Sequence, residues 1–275
     1  MSAATTSTPG RSGSARPSPL RALAKAEYLQ FRRNRTLVFM GTVFPIGMPL
    51  AMFFLARAED GAASAWTVVT LEMFAVVALL FVQYYSVLSM VTTRRGEGVL
   101  KRLRTGEAAD WQIMAAPAVP GALLTVVGAA VITAVVYAAG APAPVNVGLM
   151  LLSLVGGLVV FTALALLTAA YTKDAEAAQV TSLPVIAVAV MGMASMREML
   201  PERYAAIADY SPFAAVSDLL SLGAVGRLGS DPATTTALDF AGTVEQMVSP
   251  LAILVAWTVL ALALVRRKFR WDDRG

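Results

Sequence analysis

The chain has 275 residues, 57% of them apolar and 15% charged, with 22 Lys and Arg against 18 Asp and Glu for a formal net charge of +4. Soluble domains carry about 25% charged residues, so the composition argues against one. With no cysteine and no histidine, the sequence excludes disulfides, thiol catalysis, imidazole bases and Cys/His metal sites.

The apolar residues come in runs rather than in the 3.6 or 2.0 period of a half-buried surface. Six runs, about 37–56, 66–92, 112–139, 147–171, 178–196 and 247–265, are each long enough to cross a hydrocarbon core of roughly 30 Å at 1.5 Å per residue. Helices of a large soluble core would keep a polar face, which these largely lack. The expected fold class is an all-α membrane protein with six transmembrane helices.

In chain order, residues 1–19 after Met1 are Ser, Thr, Ala, Pro, Gly and Arg up to Pro19. They lack the apolar centre of a signal peptide and read as a disordered cytoplasmic tail. Leu20, Ala24, Tyr28 and Phe31 then form a stripe, with Arg21, Lys25, Arg32, Arg33 and Arg35 off or beyond it. This is the pattern of an amphipathic helix lying on the inner leaflet. The first span carries Pro45 and Pro49, which free backbone carbonyls and kink it. The second holds Glu72, about 9 Å below the edge marked by Trp66 at helical rise. A carboxylate at such a position is a functional candidate. Gln83, Tyr84 and Tyr85 lie deeper in the same helix. These four side chains either line a translocation path, or serve as an interfacial carboxylate and helix–helix hydrogen bonds.

Between the second and third spans stands RRGEGVLKRLRTGEAADW, residues 94–111, with Arg94, Arg95, Lys101, Arg102 and Arg104. Placing five basic side chains in hydrocarbon would cost roughly 2.5–3.5 kcal/mol each, so this stretch stays out of the lipid core. Val99, Leu100 and Leu103 fall on one side of a short helix and Lys101, Arg102 and Arg104 on others. Such a helix rests on anionic lipid or docks into a groove of a soluble partner.

Further on, GAPAPVN (140–146) is a tight uncharged turn. The fifth run contains Pro184 and leads into Met191, Met193, Met196 and Met199, an adaptable apolar surface. Residues 197–246 separate it from the sixth. Within them, 200–222 reads as one or two short helices packed at the outer surface or dipping into it, with Phe213, Val216, Leu219 and Leu220 on one side. Residues 223–243, rich in Gly, Thr and Asp, read as loop.

Eighteen of the 22 basic residues lie in 1–36, 93–111, 172–177 and the tail from Arg266, and the other four are Arg57, Arg197, Arg203 and Arg227. Basic residues gather in short cytoplasmic loops, so both termini are expected to be cytoplasmic and the six spans to alternate. The pI of about 9.6 is not a nucleic-acid signal, because the basic groups lie at membrane edges rather than on one soluble face.

The segment RRGEGVLKRLRTGEA resembles the one after the second span in permeases of the ABC type-2 exporter family, where the pattern is roughly Arg-Glu-x-Gly-Thr-Leu-x-Arg-Leu-Arg. Gly98, Leu100, Arg102, Leu103 and Arg104 match it, Arg95 matches with one spacing step, Val99 replaces the usual Thr, and Gly106-Glu107 departs from it. The Arg33-Asn34-Arg35 exit, Pro45 and Pro49, six runs, the long loop and the closing RRKFRWDD (266–273) extend the resemblance over residues 20–273.

The resemblance implies that Glu97, Gly98, Val99, Leu100, Lys101, Arg102, Leu103 and Arg104 form a coupling helix. It would dock on a separate ATP-binding subunit, with Val99, Leu100 and Leu103 as the buried contact. It also implies a second permease chain as dimer partner, contact with membrane lipid, and a place in a bacterial plasma membrane. Similarity to daunorubicin-resistance-type exporters implies outward movement of an amphipathic antibiotic or drug. Polysaccharide or lipid export is the near alternative, and an ion-gradient transporter, a channel or a membrane anchor for a signalling partner are the remote ones. The chain itself is expected to be a transport subunit without cofactor. No phosphate loop is present, since none of Lys25, Lys101, Lys173 and Lys268 follows a glycine, and no G-x-S-x-G elbow occurs. ATP and magnesium would bind the partner.

Overall fold

A computed structural model of the chain describes residues 19–33, 35–60, 63–228, 236–269 and 271; the expected tail lies outside them apart from Pro19. In chain order the elements are α1 (Pro19–Arg33), α2 (Arg35–Asp60), α3 (Ala63–Val77), a π-helical segment (Ala78–Tyr85), α4 (Ser86–Gly96), α5 (Val99–Arg104), α6 (Asp110–Ala115), α7 (Ala118–Ala138), α8 (Val147–Tyr171), α9 (Ala177–Thr181), α10 (Leu183–Met191), α11 (Ala194–Met199), α12 (Glu202–Ala208), α13 (Pro212–Val225), α14 (Phe240–Gln246) and α15 (Val248–Lys268). Among the described residues there is no strand, and the protein is all-α.

Among the described residues, five stretches are long and apolar enough to cross a membrane: Gly41–Ala58, Trp66–Gly96, Ala118–Ala138, Val147–Tyr171 and Phe240–Lys268. They correspond to five of the six expected spans. The remaining one, 178–196, is broken into α9, α10 and α11. Its longest apolar stretch, Ala177–Met191, measures about 22 Å at helical rise, short of the roughly 30 Å core. Pro184 sits in the first turn of α10 and has no N–H to carry on the ladder of α9. At the other end, Gly192 lies against the start of α13, where a Cβ would fall 2.2 Å from Ser211 Oγ. The segment still traverses the bundle. Its beginning is tied to Arg95 through the Thr172 and Lys173 carbonyls, and its end to Glu72 through the Ala194 N–H. Arg95 and Glu72 are near opposite ends of the second span.

Packing centres on α8 and on the Trp66–Gly96 span, both largely buried, whereas α2 and α15 are peripheral. Large side chains such as Phe44 and Leu55 on α2 and Val255 and Val259 on α15 remain exposed, as helices bathed by lipid require. Glycines let the central helices approach closely. A Cβ at Gly121 would lie 2.6 Å from the Val82 carbonyl oxygen, and one at Gly157 would lie 2.7 Å from Leu79.

Of the two placements expected for the helix within 200–222, at the outer surface or dipping into it, the structure shows the inserted one. α13 is buried along nearly its whole length. Its Phe213, Val216, Leu219, Leu220 and Leu222 form one wide apolar face, and the opposite face is received by polar partners, with Ser217 on Glu72 and Asp218 on Arg197. It lies along α8: the Phe161 and Phe213 rings meet edge to face at 6.4 Å. Ser153 Oγ donates to the Val216 carbonyl at 2.7 Å, and Gly223 packs on Asn146 and Met150. The stretch of α8 from Asn146 to Phe161 is about 22 Å long at helical rise, so α13 reaches roughly mid-depth. Ser211 caps it by accepting from the Ala214 N–H, and Pro212 occupies its first turn. Gly226, with φ 68°, ends it in the left-handed region.

The amphipathic α1 also packs differently from its stripe. Tyr28 and Leu29 are exposed, whereas Leu23 packs on the core and Glu27 is buried. The Phe31 side chain lies outside the described ones.

Candidate functional site

The corner after the second span is built from the backbone outward. α4 runs straight on from the π-helical segment and ends at Gly96. Gly98 then takes φ 68° and ψ 12°, a left-handed conformation that costs an L-residue roughly 1–2 kcal/mol and glycine almost nothing. The chain turns there into α5, six residues long.

Arg94 and Arg95 belong to the last turn of α4, not to a solvated loop. Arg94 pairs with Glu27 of α1 through both guanidinium nitrogens. Arg95 is 0% exposed. It donates to the Ala169 carbonyl at 2.7 Å, to the Thr172 carbonyl, and to the Lys173 carbonyl at 3.1 Å. These carbonyls close the C-terminal end of α8, where acceptors lack helical donors and the helix dipole favours a cation. Arg95 therefore fastens the end of the second span to the end of the fourth.

α5 presents its charges outward. Glu97, Lys101, Arg102 and Arg104 are exposed. Leu100, in contrast, is 1% exposed and belongs to the main hydrophobic core, and Leu103 is half-buried against that core. This corrects the expected assignment of an apolar contact with a partner: Leu100 faces the chain's own bundle, and Val99 is only partly exposed. Arg104 reaches Asp110 at 3.2 Å and lies over the Trp271 ring at 4.9 Å. Trp271 packs edge to face with Phe269. The short helix is thus linked to α6 and to the chain's end, and through α4 to α1 and α8. Residues 94–111, the loop after α8 and the chain's end therefore lie together at one end of the bundle, the basic end.

Near the far end, Glu72 is 2% exposed. Its Oε1 accepts from the Ala194 N–H at 2.7 Å and from Ser217 Oγ at 2.5 Å. Ala194 opens α11, so the carboxylate caps that helix while holding α13 through Ser217. Beside it Arg197 bridges Asp218 at 2.5 Å and Asp209 at 2.8 Å. The expected path residues in the second span are used in the same way. Gln83 donates to Thr162 Oγ1 at 2.7 Å and to the Ala118 carbonyl at 3.3 Å. Tyr84 OH donates to Thr168 Oγ1 at 3.0 Å. Both are buried and Tyr85 is half-buried. The π-helical segment turns Gln83 and Tyr84 onto α8; such bulges in α-helices are frequent at functional positions.

The turn 209–211 joins α12 to α13. Trp257, near the middle of α15, donates from Nε1 to the Tyr210 carbonyl at 2.8 Å, which sets the turn at mid-depth. Asp209 is 53% exposed there and Tyr210 69%. Sequence reasoning missed this turn, because its depth is set by contacts with α8 and α15 and not by its own composition.

The family model for ABC-2 type transporters matches residues 19–222, well over half of the 275-residue chain. The chain belongs to the ABC-2 type transporter family. The match runs from α1 into α13 and so includes the Gly98 corner, α5 and the Glu72 cluster. Membership makes the chain an integral membrane permease subunit of an ABC-type transporter, which pairs with an ATP-binding subunit. No curated protein matches the sequence.

Proposed function

We propose that this permease couples ATP hydrolysis on its partner subunit to the outward movement of an amphipathic or hydrophobic compound. The observation that carries the reading is the Gly98 corner, where an exposed charged helix is rigidly joined through Arg94 and Arg95 to α1 and α8. A partner that seats on Lys101, Arg102 and Arg104 moves the ends of both spans at once. Charge complementarity at such a surface sets register and encounter rate. The basic end is then cytoplasmic and the membrane a bacterial plasma membrane. A drug-like compound is the substrate class we favour, with lipid or polysaccharide as outcomes of a transport assay.

A second copy of the chain completes the path. Non-helical backbone at membrane depth is tolerated only where protein buries it or where it lines a water-filled cavity. The turn 209–211, exposed at Asp209 and Tyr210, meets that condition when another permease chain faces it across a polar passage. Asp209, Tyr210 and Tyr204 then border the passage, with Glu72 and Arg197 holding its wall in place.

The test is co-purification of the ATP-binding subunit with the parent chain and with the Arg102→Glu/Arg104→Glu double variant, alongside stimulated ATPase rates. The reversal is expected to weaken assembly, most at low salt, where surface charges are least screened. An ATPase that remains fully bound and fully stimulated refutes the docking role of α5. For the dimer, a cysteine at Tyr210 is expected to react with membrane-impermeant reagents and to crosslink to its counterpart. A Tyr210 cysteine reached only by lipid-soluble reagents overturns the passage.

A further inference from the structure

A cavity of about 440 Å³ lies between α3, α7, α8 and α13, away from the Gly98 corner and the turn 209–211. Its walls are mainly apolar, with Thr125, Thr133, Tyr137 and Ser153 among the lining side chains. Leu71 to Leu79 line it on the second span and Thr125 to Tyr137 on α7, which at helical rise makes it about 12–18 Å tall. Dividing the volume by that height leaves a section of roughly 25–35 Å², room for one hydrocarbon chain at ordinary carbon–carbon contact distances of about 4 Å.

The cavity is a slot with a side opening. α7 and α8 are joined by the tight turn 140–146 but pack loosely on each other, because α3 and α13 wedge in behind them. Leu151, 57% exposed, and Val126 both line the slot and face outward, so its mouth opens sideways between two spans into lipid. Its upper rim is at the far end, beside Pro144 and Val147. Toward the other end Thr125 is buried, and its Oγ1 has no hydrogen-bond partner.

We propose that this slot holds one hydrocarbon chain of a membrane lipid, drawn from the leaflet opposite the coupling corner. The lipid headgroup stays at the rim near Pro144 and Val147, and the chain descends along Ala129 toward Thr125. An apolar surface of this kind in a bilayer is filled by what surrounds it, and a single polymethylene chain is what fits the section. The occupant touches Val216 and Leu220 of α13, so it backs the inserted helix from the side opposite the passage proposed above. The site does not depend on that passage, or on which compound is carried.

The full-length permease is reconstituted in vesicles of phosphatidylethanolamine and phosphatidylglycerol. A trace of phospholipid carries a photoactivatable diazirine near the end of one acyl chain. After irradiation, adducts are mapped by peptide mass spectrometry. Adducts are expected to concentrate on slot-lining positions of α7 and α8, above the level on Phe44 and Leu55 of α2, which face lipid without a slot. Ala129→Phe fills the channel, and displacing two methylenes is expected to lower slot labelling roughly tenfold, with α2 labelling unchanged. Leu151→Trp, at the exposed mouth, makes the same prediction without disturbing the packed interior. Thr125→Val is expected to leave labelling equal or higher. The proposal is overturned by adducts spread evenly over all exposed helix faces, or by slot labelling that withstands both blocking variants. Slot labelling that falls with Thr125→Val also overturns it, since the occupant would then carry a polar group.

Discussion

Arg95 offers a sharp test of how the membrane helices are tied together. Replacing it with Met keeps the volume and apolar stem but removes three main-chain hydrogen bonds, to Ala169, Thr172 and Lys173. Each buried acceptor left without a donor costs about 1–3 kcal/mol. Removing the guanidinium also relieves its own desolvation, so the net loss is near the low end for three such acceptors, about 3–5 kcal/mol. For a domain of this size 1 kcal/mol shifts the unfolding midpoint by about 2–4 °C, so the expected drop is on the order of 10 °C. The assay is the fraction of monodisperse permease left after heating in detergent, for the parent, Arg95→Met and Arg95→Lys. Lysine, a point charge without the fork, should recover only part of the loss. The exposed Arg102→Ala should stay within about 0.5 kcal/mol of the parent. An Arg95→Met protein that melts within 2 °C of the parent, roughly the effect of 1 kcal/mol, refutes the fastening of the second span to the fourth.

Gly98→Val is expected to cost about 1–2 kcal/mol through its left-handed backbone and to misdirect α5, whereas Gly98→Asn should be milder; thermal midpoints and ATPase co-purification report the two effects separately. Glu72→Leu strands the Ala194 N–H and Ser217 Oγ and should destabilise by about 2–4 kcal/mol. Glu72→Gln keeps an acceptor and should melt near the parent, and loss of transport in a stable Glu72→Gln protein would show that the charge itself is needed. Gly223→Ala places a Cβ 2.8 Å from the main chain of Asn146 and of Met150, so about 1–3 kcal/mol of overpacking is expected. Gly96→Ala, with open space around it, should be neutral or slightly stabilising in the same heating assay.

What the sequence made legible is what lies in runs. Five spans, the short charged helix and its grouping with the other basic loops follow from hydropathy and charge alone. The destinations of individual side chains were hidden. Arg95 reads as one more basic loop residue until the end of α8, more than seventy positions later, is brought against it. Leu100 reads, with Val99 and Leu103, as a contact for a partner because the core that covers it comes from other helices. The π-helical segment leaves no trace, having neither Pro nor Gly in ALLFVQYY. The depth of α13 was hidden too: its apolar residues line one face, as on a surface helix, and its polar face is buried only because Glu72 and Arg197 receive Ser217 and Asp218. The interruption of the fifth span, in contrast, was signalled by Pro184.

The insertion of α13 bears on how the protein is made. Fourteen residues that include Ser217, Asp218 and Ser221 are too short and too polar to enter a bilayer alone. Ala177–Met191, just upstream, is also short for a stop-transfer segment. Neither piece is therefore fixed in the membrane by its own hydrophobicity while the chain emerges from the ribosome. Both must wait for a cradle formed by the second and fourth spans, already released from the translocon, with Glu72 in position to receive Ser217. Biogenesis of this permease then has a late, post-insertion step in which a polar hairpin sinks into a preassembled bundle. Ser221→Cys reports on it: it should be open to water-soluble alkylating reagents in ribosome-bound chains ending near Lys268, in which Ser221 has left the exit tunnel and α15 has not, and shielded once α15 is in place. Shielding already complete in that nascent chain would place the hairpin's descent before its cradle is finished.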